Sequence, residues 1–142
     1  MNIDTSSSGF KVMLIDDTEV DAYISKRILT KSNFSSEIME FYSAEKALDY
    51  LQENSKNLNA LPQIIFLDIH MPAMDGFDFL EKFRSIEGEI HNFCKIIMLT
   101  SSMNENDILQ AKNYPDVLKF LIKPIQMEQL QSLNQEILAT IR

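Results

Sequence analysis

The chain has 142 residues, an apolar share of 45% and a formal net charge of −8. That length suits one domain burying roughly 68% of its unfolded surface, and the apolar share excludes an intrinsically disordered chain. The acidic balance argues against direct contact with nucleic acid or an anionic membrane, and no apolar run nears the roughly 20 residues of a membrane span.

Residues 1–10 lack the basic and apolar blocks of a signal peptide and read as a flexible tail. The first strand is expected at 11–15, where Val12-Met13-Leu14-Ile15 runs directly into Asp16-Asp17. Val20, Ile24 and Ile28 then recur every four residues and mark a first helix. A second strand is expected at 37–41, followed by a helix capped by Ser43 with Ala44, Ala47, Leu48 and Leu51 on its apolar side. Glu53 to Pro62 is polar, ends in proline and reads as a loop. The third strand, 63–67, ends at Asp68, and Asp75 caps a third helix that buries Phe77, Leu80 and either Phe83 or the stem of Arg84. His91 falls in a polar loop and is expected to face solvent. A fourth strand at 94–99 runs to Thr100; the helix expected at 105–113 is sparse, with only Ile108, Leu109 and Ala111 apolar. The fifth strand, 117–122, ends at Lys123, and a last helix carries Met127, Leu130, Leu133, Ile137 and Ile141 at spacings of three and four. Cys94 is the single cysteine, which excludes an internal disulfide, and its place beside a strand makes core packing the better reading. The eight methionines are scattered and read as core filling.

Five apolar runs alternating with five helices imply an α/β fold with a parallel sheet covered on both sides by right-handed crossovers. Open sheets of this kind bind ligands at the carboxyl edge of their strands. That edge is where Asp16, Asp17, Asp68, Thr100 and Lys123 all fall. Two unit charges about 4 Å apart repel by roughly 4 kcal/mol at an effective dielectric near 20, so three converging carboxylates need protons, cations or a metal. One lysine cannot neutralise three. Mg²⁺ takes hard oxygen ligands and commonly combines one or two carboxylates with waters and phosphate oxygens, so the cluster reads as a Mg²⁺ site with room for phosphate.

The set Asp16-Asp17, then Leu67-Asp68-Ile69-His70-Met71-Pro72-Ala73-Met74-Asp75-Gly76, then Leu99-Thr100-Ser101, then Phe120-Leu121-Ile122-Lys123-Pro124 resembles a two-component response regulator receiver domain. The resemblance spans about residue 11 to residue 142 and implies a receiver without an output domain, working as a stand-alone signalling module in the cytoplasm. It implies a flavodoxin-like (βα)5 three-layer sandwich with a five-stranded parallel sheet of order 2-1-3-4-5. By the same resemblance Asp68 is the phosphoacceptor, receiving a phosphoryl group from a histidine kinase or histidine phosphotransfer protein. Asp17 would ligate Mg²⁺ directly, Asp16 mainly through water, and Asp68 and the His70 backbone carbonyl would complete the protein ligands. Thr100 would bond the phosphoryl group and Lys123 would pair with it. Thr100 and Phe120 form the switch pair, and the Lys123-Pro124 bond would be cis. Output through the fourth helix, fifth strand and fifth helix to an unidentified effector follows from the family. So does a monomer or a weak phosphorylation-dependent dimer. The protein would assist its own phosphorylation and dephosphorylation without being an enzyme on another substrate.

Phosphoryl transfer is mostly positioning and charge stabilisation, which a metal and a lysine around an in-line carboxylate supply. His70, two residues after the acceptor, is unusual for the family: it either lines the site and affects hydrolytic water or is an exposed loop imidazole. Its ring is a poor Mg²⁺ ligand, since that ion prefers oxygen. Ser102, the other modulating position, is small and uninformative. By the same resemblance the first helix and the Lys123-Pro124-Ile125 loop should dock the phosphodonor, and Tyr23 either takes part or is a half-buried tyrosine with a wet hydroxyl. An aspartyl-nucleophile phosphatase is the rival from another class, but it needs an acid where His70 stands. A flavin carrier needs a Gly/Ser/Thr-rich loop where the acidic doublet stands.

Overall fold

In this computed structural model residues 9–140 are described, so most of the expected 1–10 tail and the Ile141 end of the last helical stripe lie outside the described residues. Five strands form one parallel sheet of order β2-β1-β3-β4-β5: β1 is Phe10–Ile15, β2 Ser35–Phe41, β3 Ile64–Asp68, β4 Lys95–Thr100 and β5 Val117–Ile122. The expected α/β fold and strand order are therefore both present. The helices are α1 (Glu19–Lys31), α2 (Ala44–Glu53), α3 (Gly76–Arg84), a single turn α4 (Ile90–Phe93), α5 (Glu105–Ala111) and α6 (Met127–Thr140), with a 3₁₀ turn at Leu58–Ala60. The fourth and fifth helices read from sequence are thus α5 and α6. Among the described residues no helix is long and apolar enough to cross a membrane.

The central strands have no polar alternation because both their faces are covered. Met13, Ile15, Ile65, Leu67, Ile96 and Met98 point one way, against Leu48 and Leu51 of α2 and Phe79, Leu80 and Phe83 of α3. Val12, Leu14, Ile64, Phe66, Ile97 and Leu99 point the other way, against Leu29 of α1 and Leu130, Leu133 and Ile137 of α6. A period of two sorts one continuous apolar run into two cores.

The caps read from sequence are made: Ser43 accepts from the Lys46 N–H at 3.2 Å, and Asp75 and Asp78 close a reciprocal capping box. Phe83 rather than the stem of Arg84 fills the third position of α3.

Four expectations need correction. β1 begins at Phe10, which is buried, one residue before the expected start of the strand. The Val20, Ile24, Ile28 stripe marks α1 but only Ile28 of it packs against the core: Val20 is 65% exposed, Ile24 is also exposed, and Ala22, Ser25 and Leu29 are buried. Ala22 and Ser25 let the helix pack closely, Leu29 fills the core beneath it, and Val20 and Ile24 turn outward. His91 lies in α4, not in a solvent-facing loop: its Nδ1 is 2.9 Å from Asp116 Oδ2, its Nε2 is 2.5 Å from the Ile86 carbonyl oxygen, and its ring meets Phe83 edge-on at 5.0 Å. The loop after α2 also contains the 3₁₀ turn, anchored where the Tyr50 hydroxyl donates to the Ala60 carbonyl at 2.8 Å.

Candidate functional site

Parallel pairing places strand ends side by side. Ile15 pairs with Leu67, Asp68 with Leu99, and Thr100 with Ile122, so residues that leave these strands emerge on one edge. Backbone bonds carry the alignment past the strands, from the Ile69 N–H to the Leu99 carbonyl at 3.0 Å and from the Lys123 N–H to the Thr100 carbonyl at 2.7 Å.

At that edge Asp16, Asp17 and Asp68 each present one carboxylate oxygen, and the three oxygens lie within 4.8 Å of one another. Asp16 and Asp68 are buried and Asp17 is exposed, so the cluster opens to solvent on one side only. Such a set of hard oxygens fits a small divalent cation that keeps water in part of its coordination shell. Asp16 is held in place from its own chain, its Oδ1 accepting from the Thr18 N–H at 3.0 Å.

Lys123 reaches into the cluster. Its Nζ is 3.0 Å from Asp16 Oδ2, 3.0 Å from Asp21 Oδ2 and 3.5 Å from Asp68 Oδ1. The Lys123–Pro124 peptide bond is cis. Burial pulls the Lys123 ammonium down, but its bonds to Asp16 and Asp21 and the nearby charges of Asp68 and Asp16 outweigh that and hold it above the ordinary lysine value. The Asp68 carboxyl is pushed up to about 6, first by burial and then by Asp16 and Asp17, against the opposing pull of Lys123 and the His70 N–H. A carboxylate crowded this way resists ionisation until a cation joins it.

The loop from Ile69 to Asp75 wraps the same edge. His70 donates its N–H to Asp68 Oδ1 at 3.4 Å, while its ring is 63% exposed and stands 3.9 Å from Asp107 Oδ2 on α5. Ala73 sits at φ +67°, the left-handed region, as the loop reverses. Gly76 then opens α3 so tightly against the loop that a Cβ there would lie 2.9 Å from the Ile69 Cα and 3.2 Å from the Asp68 carbonyl oxygen. Its N–H donates to the Ile69 carbonyl at 2.8 Å. Only glycine permits that approach.

Thr100 is buried, and its hydroxyl donates to the Ser102 carbonyl at 2.8 Å while accepting from the Ser102 N–H at 3.2 Å. Phe120 is half-buried, pairs with Met98 in the β4–β5 register and packs against the α2–α3 core.

Two neighbours of the site escaped the sequence reading. Asp21 lies in the first turn of α1, just after the doublet, but acidic residues are common in a first helical turn, so nothing local singled it out. Asp107 carried no signal either, because its approach to His70 depends on how α5 lies over the loop.

A model of the response regulator receiver domain matches residues 12–135. The chain belongs to that family. The receiver is 26% identical to a two-component response regulator from Cytophaga hutchinsonii, with a TM-score of 0.82, 90% of this chain and 96% of that one being covered. It is 25% identical to the response regulator Rcp1, whose structure was solved in a Mn²⁺-bound form, with a TM-score of 0.65 over 89% of this chain and 91% of that one. Against the two-component response regulator ORR21 of Oryza sativa subsp. indica it is 28% identical over 92% of its length, yet it spans only 17% of that protein. As a receiver of a two-component system it belongs to phosphorylation-dependent signalling, in a family of phosphoacceptors that generally bind Mg²⁺ at an acidic pocket.

Proposed function

We propose that this receiver, residues 11–142, accepts a phosphoryl group on Asp68 from a histidine kinase or histidine phosphotransfer protein in a Mg²⁺-dependent reaction. The observation that carries the reading is the meeting of three carboxylates within 4.8 Å, with one lysine against them. Asp16, Asp17, Asp68 and the His70 carbonyl would hold the ion, and the Mn²⁺-bound form of Rcp1 supports divalent-cation binding by this kind of protein. When bound, the ion supplies charge neutralisation around an incoming phosphate.

The remaining work falls to the chain. An Asp68 carboxylate oxygen forms the new O–P bond as the donor's bond to phosphorus breaks, and the electron pair leaves with the donor group. Lys123, its Nζ 3.5 Å from Asp68 Oδ1, would pair with the added phosphoryl oxygens. Thr100 exchanges its Ser102 partner for the phosphoryl group, and Phe120 moves into the space it vacates. That rearrangement alters the face formed by α5, β5 and α6. Its exposed Leu109 and Ile122 and the lightly anchored α5, which buries only Ala111, suit a surface that changes partners. Val20, Tyr23 and Ile24 stand exposed on α1, Ile24 lining a recess with Lys123 and Pro124, and suit docking of the phosphodonor. The effector is another protein, the setting is the cytoplasm, and the receiver is a monomer or a weak phosphorylation-dependent dimer.

Incubation with acetyl phosphate and Mg²⁺, read by intact mass, should add one phosphoryl group to the wild type and none to Asp68→Asn or to wild type in excess chelator. Equal gain by Asp68→Asn would remove Asp68 as the acceptor.

A further inference from the structure

We propose that Asp21 is a positioning residue of the phosphoryl-transfer site, holding Lys123 from the first turn of α1 and so limiting how much of its charge reaches the acceptor. The inference rests on the reading of Asp68 as phosphoacceptor. An ammonium carries one positive charge over its three N–H donors, so three carboxylates around it divide that charge. Asp16 and Asp21 take Lys123 at 3.0 Å each, whereas Asp68 stands at 3.5 Å. The acceptor carboxylate therefore has the longest of the three contacts. Asp16 belongs to the carboxylate cluster itself; Asp21 does not.

Asp21 acts from the rim. Its side chain is 40% exposed, and with Ile24, Ser25, Ser101, Lys123 and Pro124 it lines a recess of about 270 Å³ outside the cluster. It thus draws the ammonium toward α1 and adds a fourth negative charge in the path of an anionic donor. A phosphoryl group on Asp68 has to win the lysine from Asp21. Replacing the carboxylate by an amide of the same shape loosens that hold while leaving Asp16 to keep the lysine in the pocket. Because the pair is partly solvated, the gain is modest, about two- to fivefold.

The test compares initial rates of acetyl phosphate uptake at saturating Mg²⁺ by quenched intact mass, with thermal melts to confirm folding. Asp21→Asn should gain about two- to fivefold over wild type, Asp21→Glu should return toward the wild-type rate, and high salt should shrink the difference. The gain should vanish when Asp21→Asn is placed in a Lys123→Met background, since the effect runs through that ammonium. An unchanged or slower Asp21→Asn, or a gain that persists without Lys123, overturns the proposal while Asp68-dependent uptake still stands. Uptake that is equal in Asp68→Asn overturns both.

Discussion

The two edges of the sheet treat their ionisable groups in opposite ways. At the carboxyl edge, Asp68 is buried beside Asp16 and near Asp17 with a single lysine that other carboxylates hold more closely. At the amino edge the chemistry is as rich but closed: His91 bridges Asp116 and the Ile86 carbonyl, and the Cys94 thiol donates to the Pro62 carbonyl at 2.9 Å. Satisfied polar groups lock packing in place, whereas crowded like charges favour binding of a cation. One edge is built for stability and the other for reaction.

The largest effect should come from breaking the reactive edge. Asp68→Asn is expected to abolish uptake of a phosphoryl group. The same substitution should also sharpen the contrast in the metal-free protein. A carboxyl whose folded pKa, about 6, lies above its unfolded value keeps a proton that the unfolded chain has lost. Stability is then full below about pH 4, falls as pH rises through about 6 and levels off above it, by at most about 3 kcal/mol. Thermal melts in chelator from pH 4 to pH 8 should show that slope in wild type and a flatter line in Asp68→Asn. An identical slope in both proteins would place the titration elsewhere.

At the quiet edge, His91→Ala leaves Asp116 and the Ile86 carbonyl without their partner and should cost about 1–3 kcal/mol by denaturant melts. Phosphoryl uptake should stay unchanged, because the site lies at the far end of the strands. Cys94, its thiol pushed up to about 12 by burial and then by Asp116, should resist alkylation at pH 8 until denaturant is added. Labelling of the native protein at the denatured rate would contradict that burial. The smallest effect belongs to Ala73→Gly. Relief of the left-handed backbone, about 1–2 kcal/mol, is offset by the chain entropy of glycine, about 0.5–1 kcal/mol, leaving a gain below about 1.5 kcal/mol in the melts.

How much of this was legible differs by the range of the interaction. Caps at Ser43 and Asp75 are local, needing only a side chain and an N–H three residues on, and both were readable. The orientation of α1 was not, because Val20, Ile24 and Ile28 satisfy helical spacing whichever way the helix turns. The small Ala22 and Ser25 face the sheet only because close packing against β-strand side chains rewards it. His91 looked like a loop residue because its partners, five and twenty-five positions away, leave no local trace.

The alternation of buried runs and helices, together with acidic residues at run ends, determined the layered sheet and which side chains reach its carboxyl edge, since parallel crossovers allow few other arrangements. Tertiary structure alone decided how the charges share that edge: that Lys123 divides itself among Asp16, Asp21 and Asp68, and that burial lifts Asp68 to about 6. Charge coupling depends on ångström separations and on excluded water, and neither is written in the order of residues along the chain.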